Sequence, residues 1–241
     1  MTDTDKISVI IPCLNEEVNL KELIPYLIKY GDGVISEIIV VDGGSQDNSI
    51  AVAKSFGAFV VQSPICNRAA QLNLGAQHAR GCIFYFLHAD TRPVKDFAKV
   101  ILANVAKGKN VGCFCYRFES DCTLLKFNSW FTRFNGVFSG GGDQSLFIKR
   151  SSFEALGGYD ESFCIMEDFE LVSRIRQTYD FHVLQDEMTV SARKYKGNSW
   201  VKVQLANLTA FSLFLLKVKP ASIKSLYLNF LNQKNKKHNS S

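Results

Sequence analysis

Along the first ninety or so residues, apolar positions come in short blocks separated by polar, glycine-containing stretches. Ile7 to Pro12 reads I-S-V-I-I-P, Glu37 to Val41 reads E-I-I-V-V, Ala58 to Gln62 reads A-F-V-V-Q and Cys82 to Leu87 reads C-I-F-Y-F-L. Runs of this length, rich in β-branched and aromatic residues, predict strands buried on both faces. The segments between them carry a different period. Leu20, Leu23, Ile24, Leu27 and Ile28 recur at helical spacing and stop at Gly31 and Gly33, with Pro25 expected to kink or split that helix. A second helix is predicted from about Asn48 to Phe56, and a third from Arg68 to Arg80 with Ala69, Leu72, Ala76 and Ala79 on its inner face. Strands that alternate with helices in this way predict a mainly parallel sheet with right-handed crossovers.

Beyond Thr91 the alternation loosens. The pattern predicts a helix over Val94 to Ala106, alternating residues from Val111 to Phe118, and a strand from Ser145 to Lys149. The aromatic-rich stretch from Leu124 to Phe138 takes no definite period. Ser151 with Glu154 reads as a capping box opening a short helix that Gly157 and Gly158 end. Met166-Glu167-Asp168 opens another, with Phe169, Leu171, Val172 and Ile175 on its apolar face. With no repeat and no linker, residues 1–195 read as one domain, 196–232 as a helical appendage and 233–241 as a polar, disordered tail. Trp200 to Val218 is interrupted by Lys202, Gln204, Asn207 and Thr209, and falls short of the roughly 20 apolar residues that a spanning helix needs. It predicts an amphipathic helix with three readings open: packing on the domain, a homodimer interface, or a membrane surface with Lys217, Lys219 and Lys224 at the headgroups.

Composition narrows the class. A chain of 241 residues, 46 % hydrophobic and 21 % charged, can bury a full core. Its formal charge of +5 suits phosphates or lipid headgroups and does not argue for nucleic acid. Seven cysteines with no C-x-x-C pair resemble neither a disulfide framework nor a zinc site, and Cys113 and Cys115 are spaced as alternate residues of one strand. Reduced thiols, and an opening M-T-D-T-D-K that is too polar for a signal peptide, point to the cytoplasm or the inner face of its membrane.

The chemistry is at the strand ends. Asn15 and Glu16 follow the first strand, Asp42 the second, and His88-Ala89-Asp90 the fourth. In a parallel sheet the loops at the carboxyl ends converge on the ligand, and polar groups buried there unpaired would be costly. Each residue also has a plain structural reading. Asp42 can cap the turn before Gly43, Asp90 can start a turn at Thr91-Arg92-Pro93, His88 can be a hydrogen-bonding residue at a strand end, and Glu167 with Asp168 can complement a helix dipole. The triglycine at Gly140 to Gly142 can be a flexible turn, and Arg193-Lys194 a solvated edge.

Taken in order, I-S-V-I-I-P-x-L-N-E-E, V-V-D-G-G-S-Q-D-N-S, R-A-A-Q-L-N-L-G-A, F-L-H-A-D-T-R-P and G-G-Y-D-E-S-F-x-x-M-E-D-F-E-L resemble the family 2 glycosyltransferases over residues 7 to about 195. The H-A-D-T form is similar to a bacterial subgroup of that family, some members of which are associated with arsenosugar biosynthesis. The resemblance implies a GT-A type α/β fold, a nucleotide diphosphate sugar donor, most readily UDP-linked, and Mn²⁺ or Mg²⁺. It implies that Pro12, Asn15, Glu16, Asp42, Arg68 and Asn73 line the donor nucleotide pocket. It places the family's D-x-D motif at His88-Ala89-Asp90, with Asp90 as the metal ligand and Arg193 or Lys194 assisting the leaving diphosphate. Asp168 becomes the general base of an inverting transfer, Glu167 its neighbour, and Gly142, Asp143 and Gln144 lie near the acceptor or the donor sugar. His88 departs from the pattern, and its role stays open between hydrogen bonding and metal ligation. A lipid, a small metabolite and a polysaccharide are all open as acceptor. The rival readings are a nucleotide-sugar binding protein without turnover and a nucleotidyltransferase. The second would need a glycine- and arginine-rich phosphate loop that does not follow Ile11, and a dinucleotide oxidoreductase would need G-x-G-x-x-G.

Overall fold

The computed structural model describes residues 6–31, 33–141, 144–195 and 197–231. The four predicted strands are present as β1 (Ile7–Cys13), β2 (Ile35–Asp42), β3 (Phe59–Gln62) and β4 (Ile83–Phe86), and all four pair in parallel in the order β3-β2-β1-β4. Two further predicted strands, β6 (Val111–Phe118) and β7 (Leu146–Lys149), extend the sheet. Two more, β5 (Thr91–Arg92) and β8 (His182–Val190), have no block pattern in the sequence. The eight strands run in the order β3-β2-β1-β4-β7-β6-β8-β5, with β7 antiparallel to both neighbours and β5 antiparallel to β8. The expected mixed, mainly parallel sheet is thus observed.

Helices cover both faces. One core cluster packs α1 (Glu17–Tyr30) and α4 (Phe97–Ala106) on one side through Leu20, Leu23, Leu27, Phe97 and Ile101. The other packs α3 (Arg68–His78) and α7 (Glu167–Thr178) through Leu72, Ala76, Leu171 and Ile175. Between them in sequence lie α2 (Ser49–Ser55), α5 (Thr123–Phe131) and α6 (Arg150–Ala155). Cys13, Cys113 and Cys115 are buried in these layers, and loss of solvation pushes the Cys113 thiol well above its ordinary value.

Two local expectations are corrected. Pro25 does not split α1, which runs unbroken for 14 residues with Pro25 inside it; Leu23, Ile24 and Leu27 around it are fully buried, and their burial outweighs the missing hydrogen bond. Ser151 does not cap α6. That helix starts one residue earlier, at Arg150, and no side chain caps it, because the chain enters directly from β7. Capping by the expected residue type is seen elsewhere: Asn67 accepts from the Ala69 amide at 2.9 Å to start α3, and Ser199 from the Lys202 amide at 3.3 Å to start α8 (Trp200–Leu215). A last helix, α9 (Pro220–Phe230), folds back on α8 around Val203, Ala206 and Leu231. The tail reading for 233–241 lies outside the described residues.

Candidate active site

The ends of β1, β2 and β4 are tied together by the residues that follow them. After β1 the chain turns through Asn15 in a left-handed conformation, φ 54°, with its amide donating to Ser45 Oγ at 2.8 Å and its Oδ1 accepting from the Gln46 amide at 2.7 Å. Asp42, 1 % exposed, closes the opposite turn: its Oδ2 accepts from the Gly44 and Ser45 amides at 2.9 and 3.1 Å. The capping reading of Asp42 is therefore realised, and the same bonds hold its carboxylate at the end of β2. Pro12, half-buried, does not end β1 as expected: it lies within the strand opposite Val41, and β1 runs on to Cys13.

Glu16 and Asp90, far apart in sequence, meet around one cation. Arg193 Nη1 and Nη2 donate to the two carboxylate oxygens of Glu16 at 2.9 and 2.7 Å, and Arg193 Nε lies 3.0 Å from Asp90 Oδ2. Arg193 gets there because β5 pairs with β8, placing Thr91 opposite Val190, and because the Ser191 amide donates to the Asp90 carbonyl at 3.2 Å. A short 3₁₀ turn, Arg193–Tyr195, then aims the guanidinium back over the strand ends, with Lys194 half-buried in the same turn. Ala89 is buried and contributes its carbonyl, which accepts from Arg92 Nη1 at 3.1 Å. The half-buried His88 sits at the start of the turn closed by the Thr91 amide at 3.1 Å.

The stretch R-A-A-Q-L-N-L-G on α3 joins these strand ends to the start of α7. Arg68 Nη1 lies 3.1 Å from Glu167 Oε1, which is buried. One turn on, Gln71 Nε2 donates to the carbonyls of Cys13 and Val41 at 3.0 and 2.8 Å, stitching β1 to β2 where the site begins. Asn73 donates to the Tyr159 carbonyl and accepts from the Tyr159 amide, both at 2.9 Å, so its amide holds the loop before α7. At Gly75 a β-carbon would sit 2.4 Å from Ile10 Cγ2, so glycine lets the helix lie against β1. Gln71 escaped the sequence reading, although a polar residue on the otherwise apolar face of α3 was the available signal. Gln71→Leu removes both bonds at a buried position and is expected to lower the melting temperature by about 4–8 °C, a loss of about 2 kcal/mol, read in a thermal melt.

Asp168 stands in the first turn of α7, half-buried, with the Tyr159 hydroxyl donating to its Oδ1 at 3.4 Å. Burial, then the neighbouring Asp168 carboxylate, holds the Tyr159 phenol well above its ordinary value, so it stays protonated and able to donate. Arg174 fastens the preceding loop through the Leu156 and Gly158 carbonyls at 2.6 and 2.7 Å. Met166, at the helix start, is left-handed with φ 66°. Asn15 and Met166 are two of three non-glycine residues with positive φ among the described residues, and both border this site. Gln144 is engaged structurally: its Oε1 accepts from the Gly140 amide at 2.6 Å, and its Nε2 donates to the Phe114 and Thr132 carbonyls, each at 3.2 Å. Gly142 and Asp143 lie outside the described residues. Among the described residues no group of three His, Cys, Asp or Glu is arranged to hold a metal by protein ligands alone.

The family model for glycosyl transferase family 2 matches residues 8–160, which spans β1 to the loop before α7. The chain belongs to that family. A second model, glycosyltransferase like family 2, matches residues 116–240. Among curated family relatives, the probable glycosyltransferase YdaM of Bacillus subtilis is 25 % identical over 73 % of this chain and 47 % of its own length. The succinoglycan biosynthesis protein ExoA of Rhizobium meliloti is 26 % identical over 73 % of this chain and 59 % of its own. The chain thus spans about half the length of these relatives. In solved structures the GT-A fold is shared with the mannosyltransferase PcManGT of Pyrobaculum calidifontis, in complex with GDP-Man and Mn²⁺, at TM-score 0.66 and 19 % identity over 87 % of this chain and 63 % of that one. It is shared likewise with glucosyl-3-phosphoglycerate synthase of Mycobacterium tuberculosis, in complex with Mn²⁺ and UDP among its ligands, at TM-score 0.62 and 18 % identity over 95 % and 80 %.

Proposed function

We propose that this chain transfers a sugar from a nucleotide diphosphate donor, most readily UDP-linked, to an acceptor hydroxyl with inversion, using Mn²⁺ or Mg²⁺. One observation carries the reading: Glu16 and Asp90, from two separate strand ends, both pair with the Arg193 guanidinium. A site that gathers two carboxylates around a cation suits a divalent ion. Mg²⁺ and Mn²⁺ are commonly held by one or two carboxylates together with substrate phosphates.

In this reading Asp90 would hold the ion, with His88 as the neighbouring candidate ligand, and the ion would supply charge neutralisation for the departing diphosphate. Pro12, Asn15, Glu16 and Asp42 hold the nucleoside. Arg68 and Arg193 present their guanidinium groups to the phosphates, aided by Lys194. Asp168 accepts the proton of the acceptor hydroxyl as that oxygen attacks the anomeric carbon, and a single base opposite the leaving group gives inversion. The Tyr159 hydroxyl steers the Asp168 carboxylate. Asn73 acts through the Tyr159 loop as a positioning residue, Glu167 orients Arg68, and Gln144 shapes the loop that faces acceptor or donor sugar.

The test is a thermal-shift panel of UDP, GDP, dTDP and CMP, each with and without Mn²⁺, on the wild type and on Asp90→Ala. UDP with Mn²⁺ is expected to stabilise the wild type by about 2.7 kcal/mol at a hundredfold excess over Kd, and to have no such effect on Asp90→Ala. No shift in the wild type with any nucleotide would overturn the reading.

A further inference from the structure

The exposed large apolar side chains concentrate in two places. Fourteen of the twenty exposed large apolar side chains among the described residues fall within 124–138 and 201–230. On α5, Leu125 and Ser129 face inward, while Leu124, Phe127, Trp130 and Phe131 form the outer stripe, continued by Phe134. On α8, Val203, Ala206 and Ala210 face inward, while Val201, Leu205, Leu208 and Leu215 recur at i, i+4, i+7 and i+14 on the opposite side. Each helix therefore satisfies the core with one face and presents a second apolar face outward. Phe138, at the end of the first tract, packs on α8 through the buried Phe211, its ring 4.7 Å away, so the two tracts adjoin. An exposed apolar tract built from two elements marks an interaction surface.

Charge says which partner. Ten of the 28 Lys and Arg residues follow Glu187 and none of the 23 Asp and Glu residues do, so the rest of the chain carries 18 basic against 23 acidic residues. The basic residues on and just after α5 are paired locally, Lys126 with Asp121 at 3.5 Å and Arg133 with Glu187 at 2.6 Å. Lys217, Lys219 and Lys224 follow the outer stripe of α8 with no acid after them in the sequence. A second copy of the chain would set this one-sign surface against itself across a two-fold axis, which is repulsive. No described helix is long and apolar enough to cross a membrane.

We propose that the outer faces of α5 and α8 form one surface that docks the protein on an anionic lipid bilayer. The aromatic and leucine side chains enter the headgroup boundary, and the lysines after α8 meet the lipid phosphates. Behind the tract, the buried Phe211 connects it to the site: the ring of Phe169, next to Asp168, lies 5.2 Å from that of Phe211. A docked protein thus offers Asp168 to a hydroxyl borne by a lipid. That consequence rests on the proposed function, whereas the docking rests on the surface alone.

The experiment is co-sedimentation of the full chain with phosphatidylcholine vesicles, and with vesicles that also contain phosphatidylglycerol. Binding is expected to the anionic vesicles, to weaken with added salt, and to fall at least ~10-fold in Phe127→Ser/Trp130→Ser/Phe131→Ser. It is expected to fall about fivefold for each of Lys217, Lys219 and Lys224 replaced by Gln. Quenching of wild-type fluorescence by brominated lipid, lost in Trp130→Phe, reads the same insertion without relying on the multiple variants. The proposal is overturned if the wild type stays in the supernatant with both vesicles, if it binds neutral vesicles equally, or if the α5 variants abolish a dimer instead. The nucleotide panel run on the same preparation separates failure of this surface from failure of the catalytic reading.

Discussion

Asp168→Asn is expected to lower the turnover of sugar transfer about 10³-fold while leaving nucleotide diphosphate affinity within about twofold. The substitution keeps the shape of the side chain and its contact with the Tyr159 hydroxyl, now 3.4 Å from Oδ1. It removes only the basicity that a carboxylate brings to an attacking hydroxyl. The surrounding loop is held independently, by Asn73 at Tyr159 and by Arg174 at Leu156 and Gly158, so the site is expected to keep its form. Turnover with the matched donor, together with the nucleotide-induced thermal shift, measures both quantities. Loss of affinity in parallel with turnover would move Asp168 from base to donor ligand, and unchanged turnover would remove it from the mechanism.

The second large effect concerns Arg193. Its guanidinium is the cation between Glu16 and Asp90, with a side chain 52 % exposed beside carboxylates 13 % and 17 % exposed. An ion held at Asp90 would compete with the guanidinium for that carboxylate, and a pair with a partner this open to solvent contributes about 1 kcal/mol rather than the several that an unscreened charge would suggest. Arg193→Ala is therefore expected to tighten Mn²⁺ binding to the nucleotide-free protein about fivefold. The same change is expected to weaken UDP binding in the presence of Mn²⁺ about tenfold, because the guanidinium then no longer meets the diphosphate. The electron paramagnetic resonance signal of free Mn²⁺ gives the first number and calorimetry with UDP the second. A fall in both affinities would mean that Arg193 only props the two loops in place.

Much of this was legible in the chain. The first four strands are buried on both faces in a parallel sheet, so each is a nearly continuous apolar block, and the loops after them inherit a fixed position at the carboxyl edge. That is why Asn15, Glu16, Asp42 and Asp90 could be assigned to one edge from spacing alone. The strands β5 and β8 were not legible, because a two-residue strand has no period and β8 is exposed along Gln185 to Glu187, which breaks the alternation. The aromatic stretch now seen as α5 was equally opaque, since its residues are apolar on a face that the core does not use.

The sequence by itself determined the alternation of the first four strands with their helices and the edge of the sheet where the acids gather, because local period and strand-end chemistry need no long-range information; the family followed from the resemblance of its motifs. Only the tertiary structure decided which groups meet. Pairing of β5 with β8 brings Arg193 across to Glu16 and Asp90, α3 brings Arg68 to Glu167, and the fold of α5 and α8 turns apolar residues outward. Such meetings depend on sheet register and helix packing between segments far apart in the chain, and a linear pattern of apolar and polar residues carries no distance between them.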